Sequence, residues 1–165
     1  MYLFADETFR IVDQFDSQAN AVLYQGDCLD FLASVPSGTQ KLIVTSPPYN
    51  IGKSYERHRK LTLDDYLTEQ RGTIAACIAA LHDEGSICWQ VGNHINGDGE
   101  VYPLDILLYS IFKSFGLQLR NRIIWHFEHG LHCSRRFSGR YETIMWFTKS
   151  DRYTFNLDAV RVPQK

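Results

Sequence analysis

Cysteine is scarce in this sequence, and the pairing that most cysteine chemistry needs is missing. The four cysteines are spread over 165 residues without a CxxC pair, namely Cys28, Cys77, Cys88 and Cys133. This spacing indicates neither a paired-cysteine zinc site nor the disulfide framework of a small secreted domain. We therefore expect reduced thiols in a cytoplasmic protein.

Long apolar runs and a strong net charge are missing as well. No segment approaches the roughly 20 apolar residues of a membrane helix, and acidic residues follow the start at once, unlike in a signal peptide. The formal net charge of −2 gives no global attraction to nucleic acid. A content of 44% hydrophobic and 22% charged residues is typical of one globular domain with a single core. No membrane partner is expected.

Strands alternate with helices over most of the chain. Apolar runs predict strands in "AVLYQG", "KLIVTS", "SICWQVG", "LRNRIIWHF" and "YETIMWFTK". Helical spacing predicts a short helix after Asp27, a long helix from the cap Thr62 up to Gly85, and a second long helix in "YPLDILLYSIFKSFG". Residues 1–20 are only weakly periodic and are interpreted as an N-terminal arm. This order predicts a three-layer α/β fold with a mainly parallel sheet.

The second strand ends in an unusual turn, "TSPPYN". Pro47 and Pro48 cannot donate to a sheet ladder, so they stop the strand and stiffen the turn. The residue before each proline is held extended, which directs the carbonyls of Ser46 and Pro47 away from the ladder. Ligands of α/β sheets bind beyond the carboxyl ends of strands, where "GDC", "TSPPYN" and "QVGNH" all fall. The turn is either a simple strand stop or part of a site.

Taken in order, these motifs resemble the amino-methyltransferases, which methylate exocyclic amines of DNA bases with S-adenosylmethionine. "TSPPYN" resembles the family pattern of Asp, Asn or Ser followed by Pro-Pro and an aromatic residue. "YQGDCLDFL" is similar to the segment that binds the adenine of the cofactor, and the last three predicted strands are similar to the later strands of the catalytic region. The resemblance covers residues 20–157 and implies a Rossmann-like S-adenosylmethionine-dependent methyltransferase fold.

The motif order resembles the β group, in which the catalytic half precedes a target-recognition region and an "FxGxG" cofactor loop. Neither segment occurs in residues 1–165, and the glycine cluster at 92–100 is interpreted as a surface loop. The resemblance therefore implies a catalytic half whose fold is incomplete in this chain. We expect its partners to be double-stranded DNA and the missing C-terminal half, in the same chain or as a complementing polypeptide; a homodimer is also possible.

The resemblance gives each residue of the turn a role. Ser46 Oγ and the Pro47 carbonyl would accept hydrogen bonds from the target amine, which favours the tetrahedral nitrogen of the transition state. Pro48 would help to fix this geometry, and Tyr49 would stack on a base flipped out of the duplex. Methylation at C5 of cytosine needs a Pro-Cys nucleophile instead, and no cysteine here follows a proline.

Asp27 and Cys28 fall in the segment that resembles the adenine-binding motif. Asp27 can bind the cofactor, cap the following helix, or do both, because a capping carboxylate can also accept from an adenine amino group. Cys28 is interpreted as a second cofactor contact or as a packed thiol.

A basic loop, "EHGLHCSRRFSGR", separates the last two strands. Phosphate contacts are predicted for Arg135, Arg136 and Arg140, and a second wall of the base pocket for Phe137 or Tyr141. A solvated loop is the alternative for each arginine.

The same region is rich in potential metal ligands, namely His126, His129, His132 and Cys133. Their spacing fits neither paired CxxC nor HExxH sites, so no metal site is predicted.

Three functions are compatible with the sequence. The first is site-specific DNA methylation, with Ser46 at the first motif position favouring cytosine N4 over adenine N6 by resemblance. The second is an inactive or split methyltransferase half that acts as a nucleic-acid-binding module. The third is methylation of RNA or of a protein amide with the same turn.

Overall fold

A computed structural model describes residues 9–56, 60–130 and 133–163. Part of the predicted arm and His132 lie outside these ranges. The strands are β1 (Ile11–Val12), β2 (Ala21–Val22), β3 (Gln40–Thr45), β4 (Leu81–Val91), β5 (Asn93–Ile95), β6 (Val101–Pro103), β7 (Gln118–His126) and β8 (Tyr141–Thr148). The α-helices are α1 (Cys28–Ser34), α2 (Leu63–Ala80), α3 (Leu104–Ser114) and α4 (Leu157–Val160).

The main sheet has the strand order β3-β4-β8-β7. Strands β3 and β4 pair in parallel, whereas β8 is antiparallel to β4 on one side and to β7 on the other. Three of the four strands therefore point in the same direction, as a mainly parallel sheet requires. Two of the three strand pairings are antiparallel, because β8 is inserted between two strands of the opposite direction. The α/β class is confirmed, with a mixed sheet.

One face of this sheet carries the core. The alternate side chains of β4 and β8 that point toward α2 and α3 are buried, and the main members of this cluster are Ile74, Ile87, Trp89, Leu108, Phe112, Met145 and Phe147. Phe112 stacks on Phe147 with ring centroids 4.4 Å apart. Burial of these large side chains is the dominant stabilising term of the fold.

The opposite face of the sheet is largely uncovered in the described part of the chain. Leu42 and Val44 on β3 are 61% and 68% exposed, and Trp125 on β7 is 55% exposed. The three-layer prediction is therefore wrong for these residues, because both long helices pack on the same face. Trp146 on this open face contacts the rings of Tyr153 and Phe155, which follow β8.

Two element boundaries differ from the sequence prediction. The first predicted strand shortens to β2, which pairs with β1 and not with the main sheet. Helix α2 starts after its predicted cap Thr62 but ends at Ala80, because Leu81 already pairs with Gln40 of β3. A Cβ atom on Gly85 would lie 2.9 Å from the Gln40 carbonyl oxygen, so the two backbones approach as closely as only glycine allows.

The glycine cluster at 92–100 forms the two-stranded hairpin of β5 and β6, where a plain loop was predicted. Within the described ranges, no helix has both the length and the apolar character needed to cross a membrane.

Candidate active site

The double-proline turn follows β3 at the carboxyl end of the parallel strand pair. Thr45, the last residue of β3, lies opposite Trp89 of β4, so Ser46 leaves the sheet beside Gln90, which is still part of β4. Pro47 is buried, whereas Ser46 and Pro48 are exposed. The Ser46 hydroxyl is therefore accessible to solvent, while the buried Pro47 next to it holds the turn in place.

Asn50 ties this turn to the start of α2. Its backbone adopts the left-handed conformation with φ +59°, which asparagine tolerates better than most residues. The buried side-chain amide donates to the Leu61 carbonyl at 2.9 Å and accepts from the Leu61 N–H at 2.8 Å. These two bonds join the turn to the segment just before α2, a role of Asn50 that no pattern in the sequence indicated.

A tyrosine of α2 holds the turn at a second point. The Tyr66 hydroxyl donates to the Pro48 carbonyl at 3.1 Å. Burial raises the pKa of Tyr66 well above its ordinary value, and nearby Tyr49 and Glu56 raise it further. The hydroxyl thus stays protonated and remains a donor to the turn.

A hydrogen-bonded chain runs from Ser46 into the sheet. Ser46 Oγ lies 3.0 Å from the Tyr49 hydroxyl, which donates to Glu142 Oε2 at 3.1 Å. Gln90 Nε2 donates to the same carboxylate oxygen at 2.6 Å. Glu142 and Gln90 are half-buried residues of β8 and β4, and neither was predicted as a site residue from the sequence. The one visible signal was a lone acid at the head of an apolar strand, "YETIMWF".

Two cavities flank the turn. The Tyr49 cavity, of about 470 Å³, is lined by Tyr49, Ile51, Gly92, Asn93, Ile95, Phe127, His129, Gly130, Cys133, Arg136, Gly139, Tyr141 and Glu142. The Asp27 cavity, of about 670 Å³, is lined by Gly26, Asp27, Cys28, Pro48, Asn50, Glu56, Leu61, Tyr66, Glu69 and Gln70. Pro48 and Asn50 line the Asp27 cavity, whereas Tyr49 and Ile51 line the Tyr49 cavity, so this part of the turn forms the wall between them. Ser46 and Pro47 precede this wall and are not among the residues that line either cavity.

The structure brings some of the predicted loop residues to the Tyr49 cavity and leaves others outside it. Arg136 and Tyr141 line the cavity together with Tyr49. Phe137 is 98% exposed and is not among the lining residues. Arg135 and Arg140 are exposed on the same loop. Of the two candidates for a second aromatic wall, Tyr141 is therefore the one with the right position.

The Asp27 cavity is rich in hydrogen-bond acceptors. Asp27 caps α1, with Oδ1 accepting from the Leu29 N–H at 2.8 Å, as the capping interpretation predicts. Glu56, Glu69 and Gln70 add further oxygens to the lining. Gln70 is only 6% exposed, and its Oε1 has no hydrogen-bond partner among the described residues. Buried acceptors of this kind are costly unless a donor reaches them.

Cys28 lies beside Asp27 in this lining. Partial burial raises the pKa of its thiol, and the Asp27 carboxylate raises it further. Because the thiolate is the reactive form of cysteine, the raised pKa makes this thiol a poor nucleophile. The Cys28 side chain is exposed, which favours a contact group over a packed thiol.

The described part of the chain holds no group of three or more His, Cys, Asp or Glu side chains arranged for a metal ion. His132 lies outside that part, so the structure does not test it.

The fold is that of Rossmann-like methyltransferases, as a comparison with solved structures shows. PvuII DNA methyltransferase (cytosine-N4-specific) superposes with a TM-score of 0.70 and 21% identity, over 83% of this chain and 52% of that one. TTHA0409 from Thermus thermophilus, solved in complex with S-adenosyl-L-methionine, gives a TM-score of 0.63 and 24% identity over 84% of this chain and 58% of that one.

The sequence comparison identifies the family. Residues 40–165 match the model of the N6/N4 methyltransferases, described as DNA methylase, and the chain belongs to this family. Type II methyltransferase M.BglII from Bacillus subtilis is 46% identical over 156 residues, which are 94% of this chain and 43% of that protein. The chain thus spans less than half the length of this relative.

Proposed function

We propose that this chain is the catalytic half of a site-specific DNA methyltransferase that acts on the exocyclic amine of a flipped base. The observation that carries the proposal is the double-proline turn. It stands between two cavities at the carboxyl end of β3, with the Ser46 hydroxyl tied to Tyr49 on one side and the Pro48 carbonyl tied to Tyr66 on the other. Such a rigid wall between two ligand spaces suits transfer of a group from one ligand to another.

The residues of the Asp27 cavity fit S-adenosylmethionine. Its adenine amino group is a hydrogen-bond donor, and its sulfonium and ammonium groups are positive, so an acceptor-rich and acidic lining is complementary to it. The candidates to hold it are Asp27, Glu69 and Gln70, whose Oε1 has no partner within the described ranges. When bound, S-adenosylmethionine supplies a methyl group on a sulfonium sulfur, which leaves as a neutral thioether.

The turn's own work is to prepare the amine. The lone pair of an exocyclic amine is conjugated with the base, so the nitrogen must become tetrahedral before it can attack. Ser46 Oγ and the Pro47 carbonyl would accept hydrogen bonds from the two amine hydrogens and stabilise that geometry. After methyl transfer the nitrogen carries a surplus proton, which would pass along its hydrogen bond to Ser46 Oγ and from there to water. Removing one such acceptor typically slows a reaction by about 10²–10³.

The Tyr49 cavity suits the flipped base. Tyr49 and Tyr141 line it with aromatic rings, and Arg136, with exposed Arg135 and Arg140, gives its rim the positive charge that attracts DNA phosphates. The serine at position 46 and the fold shared with a cytosine-N4-specific enzyme lean the proposal toward cytosine N4 over adenine N6. Methylation of RNA or of a protein amide is the rival chemistry.

The open sheet face supports a partner for this half. Leu42 and Val44 on the edge strand β3 and Ile123 and Trp125 on β7 expose apolar side chains on one face. Relatives and solved neighbours extend well beyond the region matched here. The proposed occupant is the remaining methyltransferase half, carried by the same polypeptide or by a complementing one; covering both the β3 edge and this face would remove an aggregation-prone surface.

Methyl uptake by the complete enzyme, meaning this chain joined to or mixed with the remaining half, tests the proposal. We expect uptake into duplex DNA, with N4-methylcytosine in the digested product, and little into RNA or protein. N6-methyladenine would correct the target atom, and uptake into RNA or protein alone would overturn the DNA substrate.

Cofactor binding by the chain alone tests the division into halves. We expect weak calorimetric binding of S-adenosylmethionine, and a complex with the other half in analytical ultracentrifugation. Leu42→Glu should weaken that complex, and Ile106→Glu, which changes an equally exposed side chain on α3, should not. A stable monomer with micromolar cofactor affinity would contradict the division, and a self-associated dimer on this face would replace the occupant by a second copy.

A further inference from the structure

The Tyr49 hydroxyl has one proton, and the oxygen atoms of Glu142 and Ser46 beside it decide where that proton lies. Glu142 Oε2 accepts from it at 3.1 Å, and Ser46 Oγ lies 3.0 Å away on the other side. A carboxylate can only accept, whereas a serine hydroxyl can donate or accept. With its proton given to Glu142, Tyr49 can only accept from Ser46. The Ser46 proton is therefore held inside the chain of bonds.

We propose that Glu142 is a positioning residue that orients the Ser46 hydroxyl through Tyr49, so that the oxygen of Ser46 and not its proton faces the target amine. The inference rests on the proposed transfer to an exocyclic amine. That reaction needs an acceptor at position 46. If the Ser46 proton pointed outward, it would face the N–H of the amine, and two donors cannot form a hydrogen bond with each other. The negative charge that orients the Tyr49 proton is on Glu142, which is 93 residues away from the tyrosine along the chain.

The surroundings of Glu142 hold it in place. Gln90 Nε2 donates to the same Oε2 at 2.6 Å, so the carboxylate is fixed from the neighbouring strand β4. On the other side of β8, the backbone of Glu142 pairs with Trp125 of β7. The Tyr49 ring packs against the backbone at Gly92, where an added Cβ would lie 3.3 Å from ring carbon Cε2. The bond from Tyr49 to Glu142 thus joins two fixed groups.

Without an acceptor at position 142, the Tyr49 proton is no longer held in a bond to that residue. In Glu142→Leu, the Tyr49 hydroxyl can turn to donate to Ser46, which sends the Ser46 proton outward. Glu142→Gln keeps an oxygen that can accept from Tyr49 and Gln90 and loses only the charge. Tyr49→Phe removes the same link while it leaves Glu142 and the aromatic ring in place.

Single-turnover methylation of duplex DNA by the complete enzyme tests the role. We expect Glu142→Leu and Tyr49→Phe to lower the rate by roughly a hundredfold, as mispositioned catalytic groups do. Affinities for DNA and S-adenosylmethionine should change by less than about threefold, because the amine is reoriented only in the reaction itself. Glu142→Gln should restore most of the rate.

Two controls separate this role from a structural one. Glu100 on the β5–β6 hairpin accepts from Tyr102 at 2.7 Å, so Glu100→Leu removes a similar tyrosine–carboxylate bond outside the site and should leave the rate unchanged. In a Ser46→Ala background, Glu142→Leu should cause no further loss, because it acts through the missing hydroxyl.

The inference is overturned if Glu142→Gln is as slow as Glu142→Leu, if the two losses add in the Ser46→Ala background, or if both Glu142→Leu and Tyr49→Phe retain the parent rate. Thermal unfolding of each variant identifies a loss due to misfolding, in which case the Tyr49→Phe rate decides. An unmodified complete enzyme without any transfer would instead overturn the proposed function itself, before any variant is compared.

Discussion

The two cavities beside the double-proline turn differ in how far this chain completes them. The polar groups at the Tyr49 cavity satisfy one another, since Ser46, Tyr49, Glu142 and Gln90 form one hydrogen-bonded chain. The Asp27 cavity holds an excess of acceptors, and one of them, Gln70 Oε1, is buried without a partner in the described part of the protein. The first cavity is organised before a ligand arrives, whereas the second is organised for a ligand that brings donors and positive charge.

Ser46→Ala should have the largest effect of any change that tests this difference. Turnover of the complete enzyme should fall by about 10²–10³ with the affinity for S-adenosylmethionine unchanged, because an acceptor is lost on the Tyr49 side only. Single-turnover methylation and calorimetric cofactor binding measure the two quantities. Ser110→Ala, on the exposed side of α3, is the matched control. Equal damage to rate and to cofactor affinity would mean that the turn does not separate two functions.

Tyr49 allows the ring and the hydroxyl to be tested apart. Tyr49→Ala should weaken binding of DNA that carries an unpaired target base by about 1–3 kcal/mol, the value of one base–aromatic stack. Tyr49→Phe should keep that binding and lose rate only. A ring that only stacks would make the phenylalanine variant mild, whereas the hydrogen bonds of the hydroxyl lead us to expect this loss of rate. Binding to duplexes with a mismatched target base, compared with the rates, distinguishes the two outcomes.

Gln70→Leu should have opposite effects on stability and on binding. Replacing a buried acceptor that lacks a partner among the described residues should raise the free energy of unfolding of the chain by about 1 kcal/mol. The same change should weaken cofactor binding by the complete enzyme if Gln70 accepts a donor from the ligand. Urea unfolding and calorimetry measure both, with the exposed Gln118→Leu as control. A destabilised Gln70→Leu would show that Oε1 is already satisfied in the folded chain.

The sequence predicted those parts of the fold that have a local pattern. Helix α2 begins at its capping threonine, and α3, β7 and β8 fall where apolar periodicity indicates them. Trp89 is buried, but Trp125 is exposed although it stands in an equally apolar strand. A run such as "KLIV" is apolar on both faces, so only the arrangement of neighbouring helices decides that Leu42 and Val44 stay uncovered.

The site was predictable where it is continuous in sequence and not where the sheet assembles it. Two consecutive prolines indicate the turn from Ser46 to Tyr49, and its place before α1 indicates Asp27. Glu142 and Gln90 meet Tyr49 only because β8 pairs with β4 in one register. No spacing along the chain encodes that contact, and the insertion of β8 between β4 and β7 is a property of the whole sheet.

Tyr66→Phe should produce the smallest effect. It removes the hydrogen bond by which Tyr66 of α2 holds the Pro48 carbonyl of the turn. Because burial raises the pKa of Tyr66 above the ordinary tyrosine value, the folded state keeps the proton that the unfolded chain releases. This contribution to stability is complete below a pH of about 10, where an unfolded tyrosine titrates, and declines as the pH rises further. The phenylalanine variant should therefore unfold more easily at pH 8, by about 1 kcal/mol for the lost bond to the Pro48 carbonyl, and its deficit should shrink toward pH 11. Urea unfolding at both pH values measures this, with Tyr109→Phe as the control because Tyr109 is 40% exposed. If the loss of unfolding free energy in Tyr66→Phe did not depend on pH, burial would not be keeping the Tyr66 hydroxyl protonated. The turn would then lack the hydrogen bond from Tyr66 at alkaline pH.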